Sequence, residues 1–292
     1  MPVPPIDAAL LRREAESYEA RAVVEPARTR GLRLVLSLID LTTLEGGDTT
    51  QYVRALCRWA RAPGPGVGLP PVAAVCVYPV FVATARAALI GSPVRVASVA
   101  GAFPAGQSPI DVRAAEVAAA VSAGADEIDF VINRGVFLAG RRRQVREEIR
   151  VLCHAAGAAT VKVILETGEL GDADVIREAC DLVLDAASSA RGAMTDGAVF
   201  LKTSTGKIAI GATMPSTLVL IAAIRDHVRA TGVRVGLKPA GGIRTPDQAL
   251  AYLVMVRETL GESWLRPELL RFGASSLARS IVASITRSEV PS

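Results

Sequence analysis

The sequence predicts an α/β protein, specifically a (β/α)8 TIM barrel with a short N-terminal helical extension. Eight apolar, β-branched segments recur at fairly even intervals along the 292 residues. Most are nearly continuous in their apolar character, as parallel strands buried on both faces are. The segments between them are rich in Ala, Leu, Arg and Glu with helical spacing. Eight strand–helix pairs in about 250 residues are the usual content of such a barrel.

The predicted strands, in chain order, are LVLSLID (34–40), VAAVCVYP (72–79), RVASVAGAFP (95–104), EIDFVIN (127–133), TVKVILET (160–167), AVFLKTST (198–205), VRVGLKPAGG (233–242) and LLRFGASS (269–276). Asp48, Asp172 and Thr245 are the predicted N-caps of the helices that follow them. Residues 1–31 are predicted to form the extension, with one helix over 6–22, and residues 32–292 the catalytic barrel. A doubly wound open sheet is the alternative, but it usually has fewer strands and often a GxGxxG turn, which this sequence lacks.

Composition restricts the class of protein. The net charge of +4 is small for this length; it fits an anionic small molecule and argues against a nucleic-acid partner. Residues 62–85 carry no charge but contain five prolines, so they would not form a continuous membrane helix. The four cysteines show no CxxC spacing, and the N-terminus lacks the apolar segment of a signal peptide. We therefore expect a cytoplasmic protein with reduced thiols and no membrane partner.

The lysines are rare and clustered. Only four of the 33 basic residues are lysines, at positions 162, 202, 207 and 238, and all lie in or just after the fifth, sixth and seventh predicted strands. A desolvated lysine, or one beside another cation, has a lowered pKa and can attack a carbonyl, whereas arginine stays protonated. Lys202 and Lys238 lie within apolar strands that are adjacent in a barrel. Buried ion pairs with Asp129 or Glu166 are the structural alternative for these lysines and for Lys162.

Glycine-rich turns follow the sixth, seventh and eighth strands. Active sites of barrels lie at the C-terminal ends of the strands, and backbone N–H groups in such turns bind phosphate. The predicted phosphate site consists of Gly206, Lys207, Gly241, Gly242, Gly273, Ser275 and Ser276.

Other chemistries have weak support in the sequence. The two histidines, His154 and His227, fall in predicted helices away from the strand ends, which argues against a zinc-dependent mechanism. A magnesium site built from carboxylates stays open, but nothing requires one, and we expect no metal and no other cofactor for a lysine that forms a Schiff base. Ser275 and Ser276 have no histidine partner for hydrolase chemistry.

The motifs resemble those of the deoxyribose-phosphate aldolases, a class I aldolase family. The resemblance covers about residues 34–280 and rests on IDLTTL (39–44), VCVYP (75–79), GADEIDFVIN (124–133), VKVILETGEL (161–170), FLKTSTGK (200–207), GLKPAGGIRT (236–245) and FGASSL (272–277). It implies a barrel that reversibly cleaves 2-deoxy-D-ribose 5-phosphate to D-glyceraldehyde 3-phosphate and acetaldehyde. It also implies a homodimer.

The resemblance implies roles for individual residues. Lys202 corresponds to the Schiff-base lysine, Lys238 to the lysine that lowers its pKa, and Asp129 to the carboxylate that moves protons through a water molecule. The expected supporting residues around the sugar are Asp40, Thr42, Cys76, Lys162 and Thr205. Some family members use a C-terminal tyrosine in proton transfer, and this sequence has no tyrosine after Tyr252.

Two alternatives to this function remain open at the level of sequence. One is another Schiff-base barrel aldolase that acts on a phosphorylated sugar or a keto acid. The other is a non-catalytic barrel that binds a sugar phosphate, which would not require the amine of Lys202.

Overall fold

The structure, a computed structural model, describes residues 5–64, 66–192 and 194–289. Within these residues, eight parallel strands form one sheet in the order β7-β6-β5-β4-β3-β2-β1-β8. The strands are β1 (Ile39–Thr42), β2 (Ala74–Val77), β3 (Arg95–Ala100), β4 (Glu127–Val131), β5 (Thr160–Ile164), β6 (Val199–Lys202), β7 (Gly236–Lys238) and β8 (Phe272–Ala274). Bridges between Leu237 and Leu270 and between Ala240 and Gly273 join β7 to β8 and close the barrel. The predicted (β/α)8 barrel is confirmed.

Helices connect the strands and cover the outside of the barrel. They are α1 (Ala8–Glu19), α2 (Ala27–Ser37), α3 (Thr50–Arg61), α4 (Val82–Ala88), α5 (Ile110–Ser122), α6 (Arg134–Leu138), α7 (Arg142–Ala155), α8 (Thr167–Leu170), α9 (Ala173–Arg191), α10 (Met214–Thr231), α11 (Pro246–Leu260) and α12 (Ser276–Glu289). Asp172 and Thr245 are N-caps as predicted. The N-cap of α3 is Thr49 instead of Asp48, because the Asp48 carboxylate accepts from the Thr43 hydroxyl and the Glu45 N–H within the preceding loop.

The prediction for the first strand was wrong over residues 34–37. These residues belong to α2, and β1 begins at Ile39. Leu32, Val35 and Leu36 are fully or almost fully buried, and their spacing of three and four is helical. An apolar run of seven residues does not by itself distinguish a strand from the end of a buried helix.

The N-terminal extension packs on the outside of the helical layer. Its helix α1 is shorter than the predicted 6–22 and packs against α10 and α11. The predicted domain boundary between residues 31 and 32 falls inside α2, which packs against α11 and α12. The division into an extension and a barrel domain stays a prediction.

The barrel interior has two chemically different parts. The side of β2 and β3 is filled by small apolar side chains, among them Ala74, Cys76, Ala97 and Val99, which cluster with Leu44. The rest of the interior holds Phe200 and the buried charged residues of β1 and of β4 to β7, together with Arg271 just before β8. Gly236 makes room for Phe200, since a Cβ at Gly236 would lie 2.4–2.5 Å from three atoms of that ring.

We predict that Gly236→Ala destabilises the barrel by about 1–3 kcal/mol, because an added methyl group there overpacks the interior. The control is Gly46→Ala, where a Cβ would meet nothing within 4 Å. The measurement is chemical denaturation of both variants and the wild type. Equal stabilities of the two variants would contradict this account of Gly236.

Candidate active site

Seven charged side chains meet inside the barrel. Since side chains alternate between the two faces of a strand, Glu127 and Asp129 in β4 point to the same side. Along the sheet, Asp129 is in register with Lys162 in β5, and Lys202 in β6 with Lys238 in β7. The cluster, called here the charged network, consists of Asp40, Glu127, Asp129, Lys162, Lys202, Lys238 and Arg271, all buried.

Asp129 lies at the centre of the catalytic candidates. Its Oδ2 atom accepts hydrogen bonds from Lys202 Nζ and from Lys238 Nζ, each at 2.7 Å. The two ammonium positions are therefore within two hydrogen-bond lengths of each other. The structure thus brings together Lys202, Lys238 and Asp129 as the sequence predicts.

The remaining contacts of the charged network lie around Asp40 and Glu127. Lys238 Nζ also contacts Asp40 Oδ2 at 2.5 Å, and Lys162 Nζ contacts Asp40 at 2.8 Å and Glu127 at 2.5 Å. Lys162 Nζ is 3.2 Å from Asp129 Oδ1. Lys162 is thus surrounded by three carboxylates, and its partners include Asp129 but not Glu166. Its geometry is that of a counter-ion for Asp40, Glu127 and Asp129.

The charges of the network do not balance when every member is ionised. It then holds four cations and three carboxylates, which leaves one positive charge in a buried site. Unpaired charge is strongly disfavoured in such an environment. Loss of one proton from one lysine would bring the network to neutrality.

Lys202 is the lysine whose neutral form the site favours. Burial is the largest influence and lowers the pKa of Lys202 from 10.5. The charge of Lys238 lowers this pKa further, whereas the charge of Asp129 acts to raise it. Burial also acts to lower the pKa of Lys238, but Asp129 and Asp40 outweigh it, so that the pKa of Lys238 is raised. The pKa of Lys162 is raised for the same reason by Asp129, Asp40 and Glu127.

The carboxylates of the network stay ionised. Burial alone would raise the pKa of Asp129, but Lys162, Lys202 and Lys238 together hold that pKa below its usual value. Asp129 Oδ1 is buried and receives no hydrogen bond from the described residues, although the Lys162 ammonium lies 3.2 Å away as an ion pair. Buried polar atoms usually have a partner, so this oxygen is suited to accept from a water molecule or a substrate hydroxyl.

A cavity of about 430 Å³ lies above the network at the C-terminal ends of the strands. Lys202 is on its floor with 4% of its surface exposed. The predicted site residues that line the cavity are Thr42, Lys202, Thr205, Gly206, Lys207, Gly241, Gly242, Gly273, Ser275 and Ser276. Asp129, Lys238, Asp40, Lys162 and Cys76 lie deeper and are almost fully buried. Burial raises the pKa of the Cys76 thiol to about 11.

The turns after β6 and β7 approach each other through their backbones. A Cβ at Gly241 would lie 3.2 Å from Gly206 Cα, and a Cβ at Gly211 would lie 2.5 Å from the Gly241 carbonyl carbon. Gly206 and Gly241 both have positive φ angles, of 77° and 74°. Glycine allows this conformation and this separation, so backbone groups form the wall of the cavity here. Ser275 precedes α12 and Ser276 begins it, at the positive end of the helix dipole.

Lys207 stands at the mouth of the cavity. Its Nζ atom is 2.9 Å from Glu45 Oε1 in the loop after β1. The Glu45 side chain is three-quarters exposed, and pairs of this kind are worth about 0–1 kcal/mol. An incoming anion can therefore displace Glu45 from Lys207.

Two members of the charged network, Glu127 and Arg271, are not among the residues that the motifs select. Arg271 binds Asp40 at 2.5 Å and binds both oxygens of Glu127, at 3.0 and 2.6 Å. Both residues interrupt otherwise apolar predicted strands. Glu127 also lies two positions before Asp129, on the same strand face. A charged residue in a largely apolar strand is therefore a signal that the sequence offers. For Arg271 this signal is weak, because arginine is common in this chain.

Among residues 5–64, 66–192 and 194–289, no group of three or more His, Cys, Asp or Glu side chains is arranged to hold a metal ion. Over the same residues, no helix is both long and apolar enough to cross a membrane.

Comparison with known proteins identifies the family. Residues 34–277 match the family model described as DeoC/LacD family aldolase. The chain belongs to this aldolase family. It is 41% identical over 291 residues to the deoxyribose-phosphate aldolase of Homo sapiens, covering 95% of this chain and 87% of that protein. It is 43% identical over 289 residues to the deoxyribose-phosphate aldolase of Mus musculus, covering 95% and 88%.

A solved structure agrees with these relatives. The tetrameric structure of the deoxyribose phosphate aldolase from Aeropyrum pernix superimposes with a TM-score of 0.64 at 27% identity. The match covers 92% of this chain and all of that one. The resemblance predicted from the motifs is thereby confirmed.

We predict that Arg271→Met destabilises this aldolase by about 3–5 kcal/mol, because it leaves Asp40 and Glu127 buried with fewer counter-ions. The matched control is Arg146→Met, which breaks the exposed pair with Asp185 and should cost no more than about 1 kcal/mol. Denaturant unfolding of both variants is the measurement. If Arg271→Met lowers the free energy of unfolding as little as Arg146→Met does, the stability of the charged network does not depend on Arg271.

Proposed function

We propose that this chain is a class I aldolase that reversibly cleaves 2-deoxy-D-ribose 5-phosphate to D-glyceraldehyde 3-phosphate and acetaldehyde. The observation that carries the proposal is the position of Lys202. Its amine is on the floor of the cavity and shares Asp129 with Lys238, in a network that becomes neutral when Lys202 loses its proton.

In the proposed mechanism, Lys202 is the nucleophile. Its free amine adds to the aldehyde carbon of the substrate, and loss of water gives an iminium ion. The iminium accepts the electron pair of the C2–C3 bond when that bond breaks, so glyceraldehyde 3-phosphate leaves and an enamine stays on Lys202. Protonation of the enamine at C2 and hydrolysis release acetaldehyde and regenerate the amine.

Asp129 and Lys238 support these steps. The Oδ1 atom of Asp129 receives no hydrogen bond from the described residues. It is therefore suited to accept, through a water molecule, the proton that leaves the C3 hydroxyl, and to return one to the enamine carbon. Lys238 stays protonated and adds its charge to the burial that lowers the pKa of Lys202. Asp40 and Lys162 keep Lys238 and Asp129 in place through their ion pairs, while Thr42 and Thr205 are proposed to contact the sugar from the cavity wall. Cys76 is proposed to support the sugar end from below.

The phosphate is proposed to bind at the opposite end of the cavity. Gly206, Gly241, Gly242 and Gly273 present backbone there, and Ser275 and Ser276 present hydroxyls at the start of α12. Lys207 supplies the positive charge. Binding energy from this end, remote from the bond that breaks, orients the aldehyde carbon over Lys202.

We further propose that the reaction requires no metal or other cofactor, because the iminium ion provides the electron sink. Activity should then persist after treatment with EDTA. For the protein as a whole, we propose a homodimer in the cytoplasm. The four free, buried cysteines fit a reducing compartment, and sedimentation or light scattering measures the assembly.

We predict that acetaldehyde and borohydride leave an ethyl group on Lys202, because reduction traps the imine as a stable amine. Peptide mapping by mass spectrometry locates it. Lys202→Arg keeps the charge but should abolish both the adduct and aldol cleavage, since the guanidinium is not nucleophilic. An unmodified Lys202 in the wild type, or substantial cleavage by the arginine variant, would refute the proposed mechanism.

We predict that Lys238→Met lowers the rate of imine formation at pH 7 by at least about tenfold. The difference in rate between this variant and the wild type should become smaller as the pH rises. Without Lys238 the network holds three cations and three carboxylates, so it is neutral only when Lys202 is protonated. The pKa of Lys202 therefore rises, and each unit removes about tenfold of the free amine. The measurement is the pH profile of trapping by acetaldehyde and borohydride.

Arg146→Met, which removes an exposed cation, is the control for net charge in this experiment. It should leave the trapping profile unchanged. A constant ratio between the Lys238 variant and the wild type at every pH would mean that Lys238 does not act on the pKa of Lys202.

A further inference from the structure

Glu166, two residues after the end of β5 and immediately before α8, has an unusual conformation. It has φ 58° and ψ 58°, in the left-handed region that residues other than glycine rarely adopt. Its surface is fully buried. Such a conformation costs about 1–3 kcal/mol and persists where surrounding contacts determine it, commonly at functional sites.

The carboxylate of Glu166 is bound to the turn after β6. Thr205 N donates to Oε1 at 3.2 Å and to Oε2 at 3.3 Å, and the Thr205 hydroxyl donates to Oε2. An ionised carboxylate only accepts, so the Thr205 proton points to Glu166. The Thr205 oxygen in turn accepts from Lys207 N at 3.1 Å. One chain of hydrogen bonds therefore runs from Glu166 through Thr205 to the backbone of Lys207.

This chain of bonds reaches the proposed phosphate end of the cavity. Thr205, Gly206 and Lys207 line it, three to five residues after Lys202. The backbones of the two strand ends are also joined, through Leu165 N to Lys202 O at 3.0 Å and Thr167 N to Thr203 O at 2.9 Å. Glu166 thus extends the attachment between β5 and β6 beyond Lys202 into the turn.

The charge of Glu166 does not help to bind an anion, so its contribution is geometric. Burial raises the pKa of its carboxyl, while the hydrogen bonds from Thr205 and the charge of Arg134 act in the opposite direction. Arg134 is itself paired with Glu169. A buried carboxylate next to an anion site repels the anion, so any benefit from Glu166 comes from ordering the groups that bind the anion.

We propose that Glu166 is a positioning residue that acts through Thr205 to hold residues 205–207 in the conformation that binds the substrate phosphate. It thereby sets the preference for a phosphorylated sugar over its unphosphorylated counterpart. This inference rests on the proposed function and adds to it a residue that does not itself touch the substrate.

The test compares two substrates, 2-deoxyribose 5-phosphate and 2-deoxyribose, in Glu166→Gln. The glutamine offers one acceptor and turns an amide N–H toward the Thr205 donors. The expected result is a rise of about tenfold in KM for the phosphorylated substrate, the size of one hydrogen bond to a charged group, with kcat retained within about twofold. The kcat/KM for 2-deoxyribose should change by less than about twofold. Equal losses with both substrates, or no change with either, would overturn the proposal.

Control variants separate this role from general stability. Glu169→Gln changes a half-exposed glutamate in the neighbouring α8 and should leave both substrates unaffected. Because Thr205 is also proposed to contact the sugar, Thr205→Val is used only as the background in which Glu166→Gln is tested again. In the Thr205→Val background, Glu166→Gln should add little; additive effects would show that Glu166 does not act through Thr205.

Two further measurements keep the result interpretable. If Glu166→Gln unfolds, Glu166→Asp replaces it: the shorter side chain keeps the charge but cannot reach Thr205 in the same way, and it should raise the KM for the phosphorylated substrate alone. Trapping of acetaldehyde on Lys202 uses no phosphate and reports on the proposed function separately. Suppose that the wild type traps acetaldehyde on Lys202 and that the Glu166 variant keeps the phosphate preference of the wild type. This result would refute the positioning role of Glu166 and leave the aldolase assignment standing.

Discussion

The shared hydrogen bonds of Lys202 and Lys238 to one oxygen of Asp129 are the interaction on which the rest of the site depends. Two ammonium groups cannot both be charged at this separation in a buried site without large repulsion, and one carboxylate compensates only one of them. The contacts decide which of the two lysines loses its proton. Lys238 has a second carboxylate, Asp40, and Lys202 contacts Asp129 alone among the described residues. The asymmetry of the ion pairs thus directs the free amine to the residue that faces the cavity.

The barrel makes this arrangement possible by bringing residues distant in sequence onto one interior surface. Asp40 and Lys238 are 198 positions apart, and Asp40 and Arg271 are 231 apart. Burial of the six groups that stay ionised would be prohibitive without mutual pairing. The small apolar side chains of β2 and β3 and the ring of Phe200 are buried in the interior beside the network. Burial in this interior is the largest influence on the pKa of Lys202.

Much of this site was predictable from the sequence, because the rarity of lysine in this chain and the positions of the lysines in predicted strands point to the same residues. A lysine within an apolar strand is informative in a chain that otherwise uses arginine, and the register of neighbouring strands placed Lys202 beside Lys238 as expected. Arg271 escaped notice because its residue type is common here, although its strand is apolar. The contact between Glu166 and Thr205 depends on a left-handed backbone at Glu166, which sequence pattern does not indicate. The error at residues 34–37 arose because a buried helix end and a strand share the same apolar composition.

The central claim is that Lys202 is the lysine of the charged network that loses its proton. The direct measurement is the titration of Lys202 itself, from the pH dependence of its rate of reaction with a small amine-selective reagent, followed by mass spectrometry of the Lys202 peptide. The account predicts a midpoint below the ordinary lysine value of 10.5. A midpoint at or above that value would contradict it, because Lys202 would then be the paired cation of Asp129 and not the free amine.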